Sequence, residues 1–173
     1  YLYFENRLIE SPGLSHKLFP TPESKNIVIC LSGIGSSKNF SVLVTDKIPD
    51  LQLMFNGQCF PLYWYEENKQ QGLFSTEGGD YVRHDGISDW MLKEVKGRFG
   101  GKRSITKETI FYYVYGLLHS PAYRETFAAD LKKSLPRIPI VDDYEAFIDF
   151  YHAGKTLADL HLNYEQVDPL PDI

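Results

Sequence analysis

What most limits the folds open to this chain is where its hydrophobic patterns lie. The short β-branched apolar runs fall in the first 65 residues, and the runs of helical spacing fall after residue 87. Asn26–Ser32 (NIVICLS) is continuously apolar between a polar lead-in and Gly33, which reads as a buried strand, and Phe40–Thr45 (FSVLVT) reads as another. Leu51–Phe55 and Gln58–Tyr65 flank Asn56-Gly57, a dipeptide that favours positive φ at both turn positions, so a hairpin is expected there. Pro61 cannot donate to a ladder and marks an edge or a bulge. Glu66–Gly86 turns polar and glycine-rich and reads as a loop or an inserted excursion.

Helical signals follow. Ser88 can cap a short helix to Lys96, and Thr106 can cap a longer one to His119, in which Ile110, Phe111, Val114, Leu117 and Leu118 share a face. Ser120-Pro121 fits an N-cap followed by proline at the first helical position, opening a helix to Ser134. Asp142–Asn163 places Tyr144, Phe147, Ile148 and Tyr151 on one face, with Gly154 expected to break or bend it. The class is therefore α+β: an N-terminal antiparallel β region followed by a C-terminal helical region, with no internal repeat. Residues 1–165 are expected to form a single domain, with 1–65 mainly β, 66–105 loops and a short helix, 106–165 helical, and 166–173 a tail. The chain begins at Tyr1 inside a patterned segment, which suggests a fragment of a longer polypeptide.

At 173 residues with 43% hydrophobic content, the chain can hold a core without disulfide or metal staples. Cys30 and Cys59 are isolated in apolar stretches, with no CxxC and no zinc spacing, and read as small buried hydrophobes in a reducing cytoplasm. There is no run of eighteen apolar residues and no basic-then-apolar leader, so a cytoplasmic protein with no membrane partner is expected.

The net charge of −5 hides an asymmetry, because residues 1–141 carry a net +2 and residues 142–173 a net −7. The acidity can thus face away from a polyanion. Between Lys93 and Lys107, six basic residues (Lys93, Lys96, Arg98, Lys102, Arg103, Lys107) meet one acid, Glu94, among Gly97, Gly100 and Gly101. This reads as a cationic loop in which glycines allow close approach to a phosphate and the cations gain from counterion release. Solvated surface is the plainer reading of such a run.

Catalytic chemistry is harder to find. Gly33-Ile34-Gly35-Ser36-Ser37-Lys38 follows a strand but fits neither a Walker loop nor a dinucleotide fingerprint, since a strand-like run comes next. It reads as a turn or loop, or as a phosphate or base contact through Ser36, Ser37, Lys38 or Asn39. His16, His84, His119, His152 and His161 show no metal-ligand spacing, and no GxSxG elbow exists. Asp142 and Asp143 sit at a helix start, where capping explains them. The abundant aromatics suit stacking on splayed bases, though at strand and helix spacing they read first as core. The chain reads as non-catalytic, with no cofactor of its own.

One string goes beyond pattern. YVYGLLHSPAYRETFAADLKKSLPRIPI at 113–140, with YFENRLIE at 3–10, GQCFPLYWYE at 57–66 and LADLHLNYE at 157–165, closely resembles the C-terminal specificity region of Type ISP restriction-modification enzymes. These are large single-chain bacterial proteins often labelled helicases or DNA methylases. The resemblance implies a target recognition domain for double-stranded DNA, carried by a parent with a nuclease, an ATP-dependent helicase-like motor and an adenine-N6 methyltransferase. It implies ATP, Mg and S-adenosylmethionine as the parent's cofactors, and the parent's motor and methyltransferase domains as partners. No Walker loop or NPPY-like methyltransferase motif occurs in this chain.

Residue chemistry and loop position then select candidate DNA contacts: Lys38, Arg98, Lys102 and Arg103 for phosphates, with Arg83 as a secondary candidate, and Asn39 and Gln58 for adenine edges. The competing reading is an interdomain docking module of the same polypeptide with little DNA affinity of its own.

Overall fold

The computed structural model describes residues 15–50, 53–55, 57–68, 80–101 and 104–167. In chain order these form α1 (Ser15–Leu18), β1 (Val28–Leu31), β2 (Val42–Thr45), β3 (Gln58–Pro61), β4 (Tyr63–Glu67), β5 (Tyr81–Asp85), α2 (Asp89–Arg98), α3 (Lys107–His119), α4 (Pro121–Thr126) and α5 (Tyr144–Leu162). A single 3-10 turn, Tyr164–Gln166, follows α5. The class is α+β, with antiparallel strands first and helices after.

β1 is the middle strand of a three-stranded sheet ordered β2-β1-β3. All four of its residues are buried, which is why its sequence is apolar without alternation. Ile29 and Leu31 face the helices, whereas Val28 and Cys30 face a smaller cluster containing Met54, with Leu18 and Phe19 packed against it.

The expected hairpin at Asn56-Gly57 is not what the chain builds. Residues 53–55 form a turn, and β3 pairs with β1 instead, Leu31 opposite Gln58 and Val28 opposite Pro61. Asn56 and residues 51–52 lie outside the described residues. Gly57 is required for close approach, since a Cβ there would lie 2.3 Å from the Leu31 carbonyl oxygen.

Pro61 ends an edge strand, as its missing N–H demands. At Leu62 the chain leaves one sheet for the other: its N–H donates to Ile27 O at 2.8 Å, and its carbonyl accepts from Gly86 N at 2.7 Å. Asn26 fixes this junction. Its buried amide donates to Leu18 O (2.9 Å) and Tyr63 O (2.7 Å) and accepts from the N–H groups of Ile27 (2.9 Å) and Tyr63 (3.1 Å). The stretch 66–86, expected as loop, contains the end of β4 and all of β5, which pair as a two-stranded sheet. Its polar composition misleads because no residue of β5 is buried. Trp64 stacks on His84 across the pair, with ring centroids 4.2 Å apart. Residues 69–79 of that stretch lie outside the described residues.

The helix starts follow their caps. Ser88, Thr106, Ser120 and Asp143 each accept a side-chain bond from a first-turn N–H, and Thr106 and Thr109 form a reciprocal capping box. α4 is shorter than expected, ending at Thr126, and hydrogen-bonded turns continue to Ser134. Phe127 leaves helical geometry at φ −106°, ψ 16°, and the turns bring Phe127 and Leu131 against the core. Gly154 does not break α5, which runs unbroken through it. It lies buried at the crossing with α3, opposite Gly116.

The main core lies between α3, α5 and the inner face of the three-stranded sheet. Phe147 stacks on Tyr113 at 4.4 Å and packs on Phe99 at 5.2 Å. Burial of a side chain such as Phe147 or Ile110 contributes roughly 1.5–3 kcal/mol. Two buried phenols hold the irregular stretch after α4: Tyr113 donates to Pro139 O (2.7 Å) and accepts from Val141 N (3.2 Å), and Tyr123 donates to Arg137 O (2.8 Å). Among the described residues no helix is long and apolar enough to cross a membrane.

Candidate nucleic-acid interface

Three connecting segments meet at the end of the sheet where β1 finishes. The 32–41 loop leaves β1 through a closed neck, with Ser32 N donating to Ser41 O at 2.9 Å and Ser41 N to Ser32 Oγ at 3.1 Å. The 53–55 turn reaches it through Gly33 N to Met54 O at 3.2 Å, and the turns after α4 reach it through Gly35 N to Lys132 O at 3.1 Å. Gly35 is held at φ +73°, a backbone conformation that L side chains rarely adopt. Backbone bonds, with the Ser32 and Ser36 hydroxyls accepting from Ser41 N and Lys38 N, thus assemble a rim.

On this rim Lys38 and Asn39 are both exposed. The Lys38 ammonium lies 5.9 Å from the centre of the exposed Phe55 ring. Phe55 has φ +54°, a left-handed conformation uncommon for a bulky residue. Gln58, exposed and directly opposite Leu31, sits at the same end of the sheet. Arg124 lies behind the rim, its guanidinium 5.8 Å from the Phe40 ring and its Nε donating to Leu118 O at 2.7 Å. Lys38, Asn39 and Gln58 are therefore exposed on segments at the same end of the sheet, and their cation and amides have the chemistry to meet phosphates and base edges.

Of the other candidate contacts, the described ones, Arg83 and Arg98, sit on other elements. Arg83 is on β5, its guanidinium 4.3 Å over the Tyr63 ring, beyond the opposite end of β1 and about 10 Å or more away by the strand's rise. Arg98 ends α2 and forms an ion pair with Asp142 ahead of α5. Lys102 and Arg103 lie outside the described residues. The Lys93–Lys107 run is not one cationic loop, since Lys93, Lys96 and Arg98 are helical and Lys107 is bonded to Asp85 (2.7 Å) and Asp89 (2.6 Å).

Three contributors escape a sequence reading. Lys132 and Lys133, both exposed, join the rim through the Gly35–Lys132 bond, and Phe55 does so through the turn that replaces a strand. Their only sequence signal is two adjacent lysines, which a helix assignment places on a solvated face.

Two of the histidines, His119 and His161, pack together with ring centroids 5.7 Å apart. The His119 ring lies among Tyr115, His161 and Arg124, and its Nδ1 is 3.3 Å from the Arg124 guanidinium. Burial, with Arg124 and His161 nearby, pushes its pKa down to about 4. His152 is exposed beside the Tyr151 ring. A cavity of about 140 Å³ between the sheet and α3 is lined by apolar side chains such as Ile29, Leu31, Phe60, Leu118 and Ile138. Among the described residues no three His, Cys, Asp or Glu side chains cluster to hold a metal.

Residues 1–173 match the Type ISP C-terminal specificity domain family. The chain belongs to that family. Three solved structures resemble it along nearly its whole length. A cryoEM DrdV–DNA complex is 37% identical with a TM-score of 0.81, over 98% of this chain and 15% of that one. The ATP-dependent Type ISP restriction-modification enzyme LlaBIII bound to DNA is 34% identical (TM-score 0.76), over 97% and 10%. A nuclease-deletion mutant of the Type ISP enzyme LlaGI, in complex with a DNA substrate mimic, is 32% identical (TM-score 0.73), over 99% and 13%. The specificity domain thus spans 10–15% of the length of these chains. No curated protein matches the sequence.

Proposed function

We propose that this specificity domain reads a double-stranded DNA sequence on behalf of a larger Type ISP restriction-modification polypeptide. The observation that carries the reading is the rim at the end of β1, where backbone bonds bring Lys38, Asn39, Gln58 and Lys132 to one edge, in a chain whose solved relatives are complexed with DNA or a DNA mimic. Lys38, Lys132 and Lys133 hold phosphates and set the register of the duplex; Asn39 and Gln58 pair with base edges, adenine above all. Lys102 and Arg103 extend the phosphate contacts. Arg83 and Arg98 act at a distance from this rim, on flanking duplex.

Cleavage, ATP-driven translocation and adenine methylation belong to the rest of the parent, with ATP, Mg and S-adenosylmethionine as its cofactors, in the cytoplasm where its DNA lies. The docking alternative draws on apolar side chains that the domain leaves exposed, Trp90 on α2 and Leu160, Tyr164 and Val167 near the end of α5. The same domain uses those faces for its own parent while the β1 rim meets DNA.

Fluorescence anisotropy of the full-length polypeptide with random duplexes, across a salt series and then by selection, tests the reading. Expected are a linear fall of log affinity with log salt and enrichment of one site; Asn39→Ala or Gln58→Ala relaxes one position of that site, at about 1–3 kcal/mol of discrimination. A site unchanged in both variants would remove the rim from base reading.

A further inference from the structure

Cys30 and Cys59 are the chain's only cysteines, and they stand directly opposite each other in the β1–β3 pair, with Sγ atoms 3.5 Å apart. Their apolar sequence surroundings make both read as small buried hydrophobes. Cys30 is buried, but Cys59 is exposed on the edge strand. Residues facing each other in an antiparallel pair have Cα atoms about 4.5–5.5 Å apart, inside the roughly 4.4–6.8 Å window of a disulfide. Closing the sulfurs to about 2.05 Å asks for side-chain rotation and no change of register.

We infer that Cys30 and Cys59 form a reversible thiol–disulfide pair at the foot of the 32–41 loop, with Cys59 the attacking thiol and Cys30 the resolving one. The oxidant is a low-molecular-weight disulfide. The Cys59 thiolate attacks one sulfur of that disulfide, whose S–S bond breaks and releases a small thiolate, leaving a mixed disulfide on Cys59. Cys30 then loses its proton and attacks the Cys59 sulfur, forming the cross-strand bond and expelling the second small thiolate. Two protein thiols lose two electrons and two protons; the small disulfide becomes two thiols.

The division of roles follows from exposure, and from the thiol contact itself. A hydrogen bond from Cys30 favours the thiolate at Cys59 and lowers its pKa, while the same contact, reinforced by burial, pushes the Cys30 thiol up. A low-pKa thiol on the surface meets the oxidant first. A buried partner within 3.5 Å is placed to take over its sulfur.

The test incubates the full-length polypeptide with oxidised glutathione, blocks free thiols with N-ethylmaleimide and digests with trypsin without reduction. Cys30 and Cys59 fall in separate tryptic peptides, 26–38 and 48–69. The expected product is those two peptides joined with loss of two hydrogens, and returned to separate thiol peptides by dithiothreitol. Cys30→Ser should accumulate glutathione on Cys59, and Cys59→Ser should leave Cys30 as a free thiol. A wild-type protein carrying glutathione on Cys59 with no joined peptide overturns the pairing, as does one in which both thiols are alkylated. Glutathione found first on Cys30 overturns the assignment of roles.

Discussion

Gly116 and Gly154 meet through their backbones where α3 crosses α5: a Cβ on Gly116 would lie 3.0 Å from Gly154 N, and one on Gly154 would lie 2.7 Å from Gly116 N. Each also points at a carbonyl, Phe150 O at 2.2 Å and Tyr112 O at 2.0 Å. The groups in the way are main chain, which cannot rotate aside. Helix propensity alone would favour alanine at either position by about 1 kcal/mol, so the crossing prevails over it.

Gly116→Ala and Gly154→Ala are accordingly expected to destabilise the domain by about 1–3 kcal/mol each through overpacking. Gly97→Ala on α2, where a Cβ meets nothing within 4 Å, is the control and should stabilise by roughly 0.5–1 kcal/mol. Urea titration of the domain's unfolding transition reads both signs. Equal effects at the three sites would mean that the helices separate easily.

Asn26 can be tested by changing one atom. Asn26→Asp replaces a donor to Leu18 O and Tyr63 O with an acceptor, setting a buried oxygen against two carbonyls. The expected loss is about 2–4 kcal/mol at neutral pH, since both bonds go and the group stays buried. A lowered thermal midpoint with unchanged helix content by circular dichroism would report it.

His119 gives a pH signature. Its folded pKa is about 4 against an ordinary 6.5, so between those values the unfolded chain binds the proton and the folded one does not. Stability is therefore complete above about pH 6.5 and falls as the pH drops toward 4, by about 2 kcal/mol after screening at its partly exposed ring. Replacing the ring in His119→Phe should flatten that part of the profile relative to wild type, whatever the carboxylates contribute to both. Parallel profiles would place the proton uptake elsewhere.

The cations differ in their surroundings: Lys38 and Lys132 are exposed on the rim, and Arg98 is ion-paired with Asp142. Lys38→Ala with Lys132→Ala should weaken DNA binding across all sequences and reduce the log–log salt slope by about 2, one unit for each phosphate no longer neutralised. Arg98→Ala removes an ion pair whose Asp142 partner is 95% exposed, so its effect on stability should be below about 1 kcal/mol. Lys102→Ala with Arg103→Ala should weaken binding and flatten the slope. Anisotropy titrations at several salt concentrations separate these cases.

Much of the helical half was legible in the sequence, because capping is local chemistry: Ser88, Thr106 and Ser120-Pro121 announce their helices within four residues. The strand half was legible in β1, buried on both sides, in β2, whose burial alternates, and in the run that holds β3 and the start of β4. β5 was missed because a two-stranded sheet with open faces needs no apolar residues. Asn56-Gly57 misled because Gly57 answers to the Leu31 carbonyl, a neighbour supplied by tertiary structure. Of the candidate interface, Lys38, Asn39 and Gln58 share an end of the sheet because two runs read as strands pair at that end. Lys132 reaches the same rim through one backbone bond to Gly35, 97 positions away, and no local pattern encodes such a bond.

Tyr113 and Tyr123 grip the stretch after α4 by its carbonyls and one amide, never by its side chains. A bracket that holds main chain leaves the outward side chains uninvolved. Between residues 137 and 141, Ile138, Ile140 and Val141 stay packed against the core while Arg137 and Pro139 face outward, so the path of the chain stays put and surface chemistry at those two positions can be rewritten without refolding the protein.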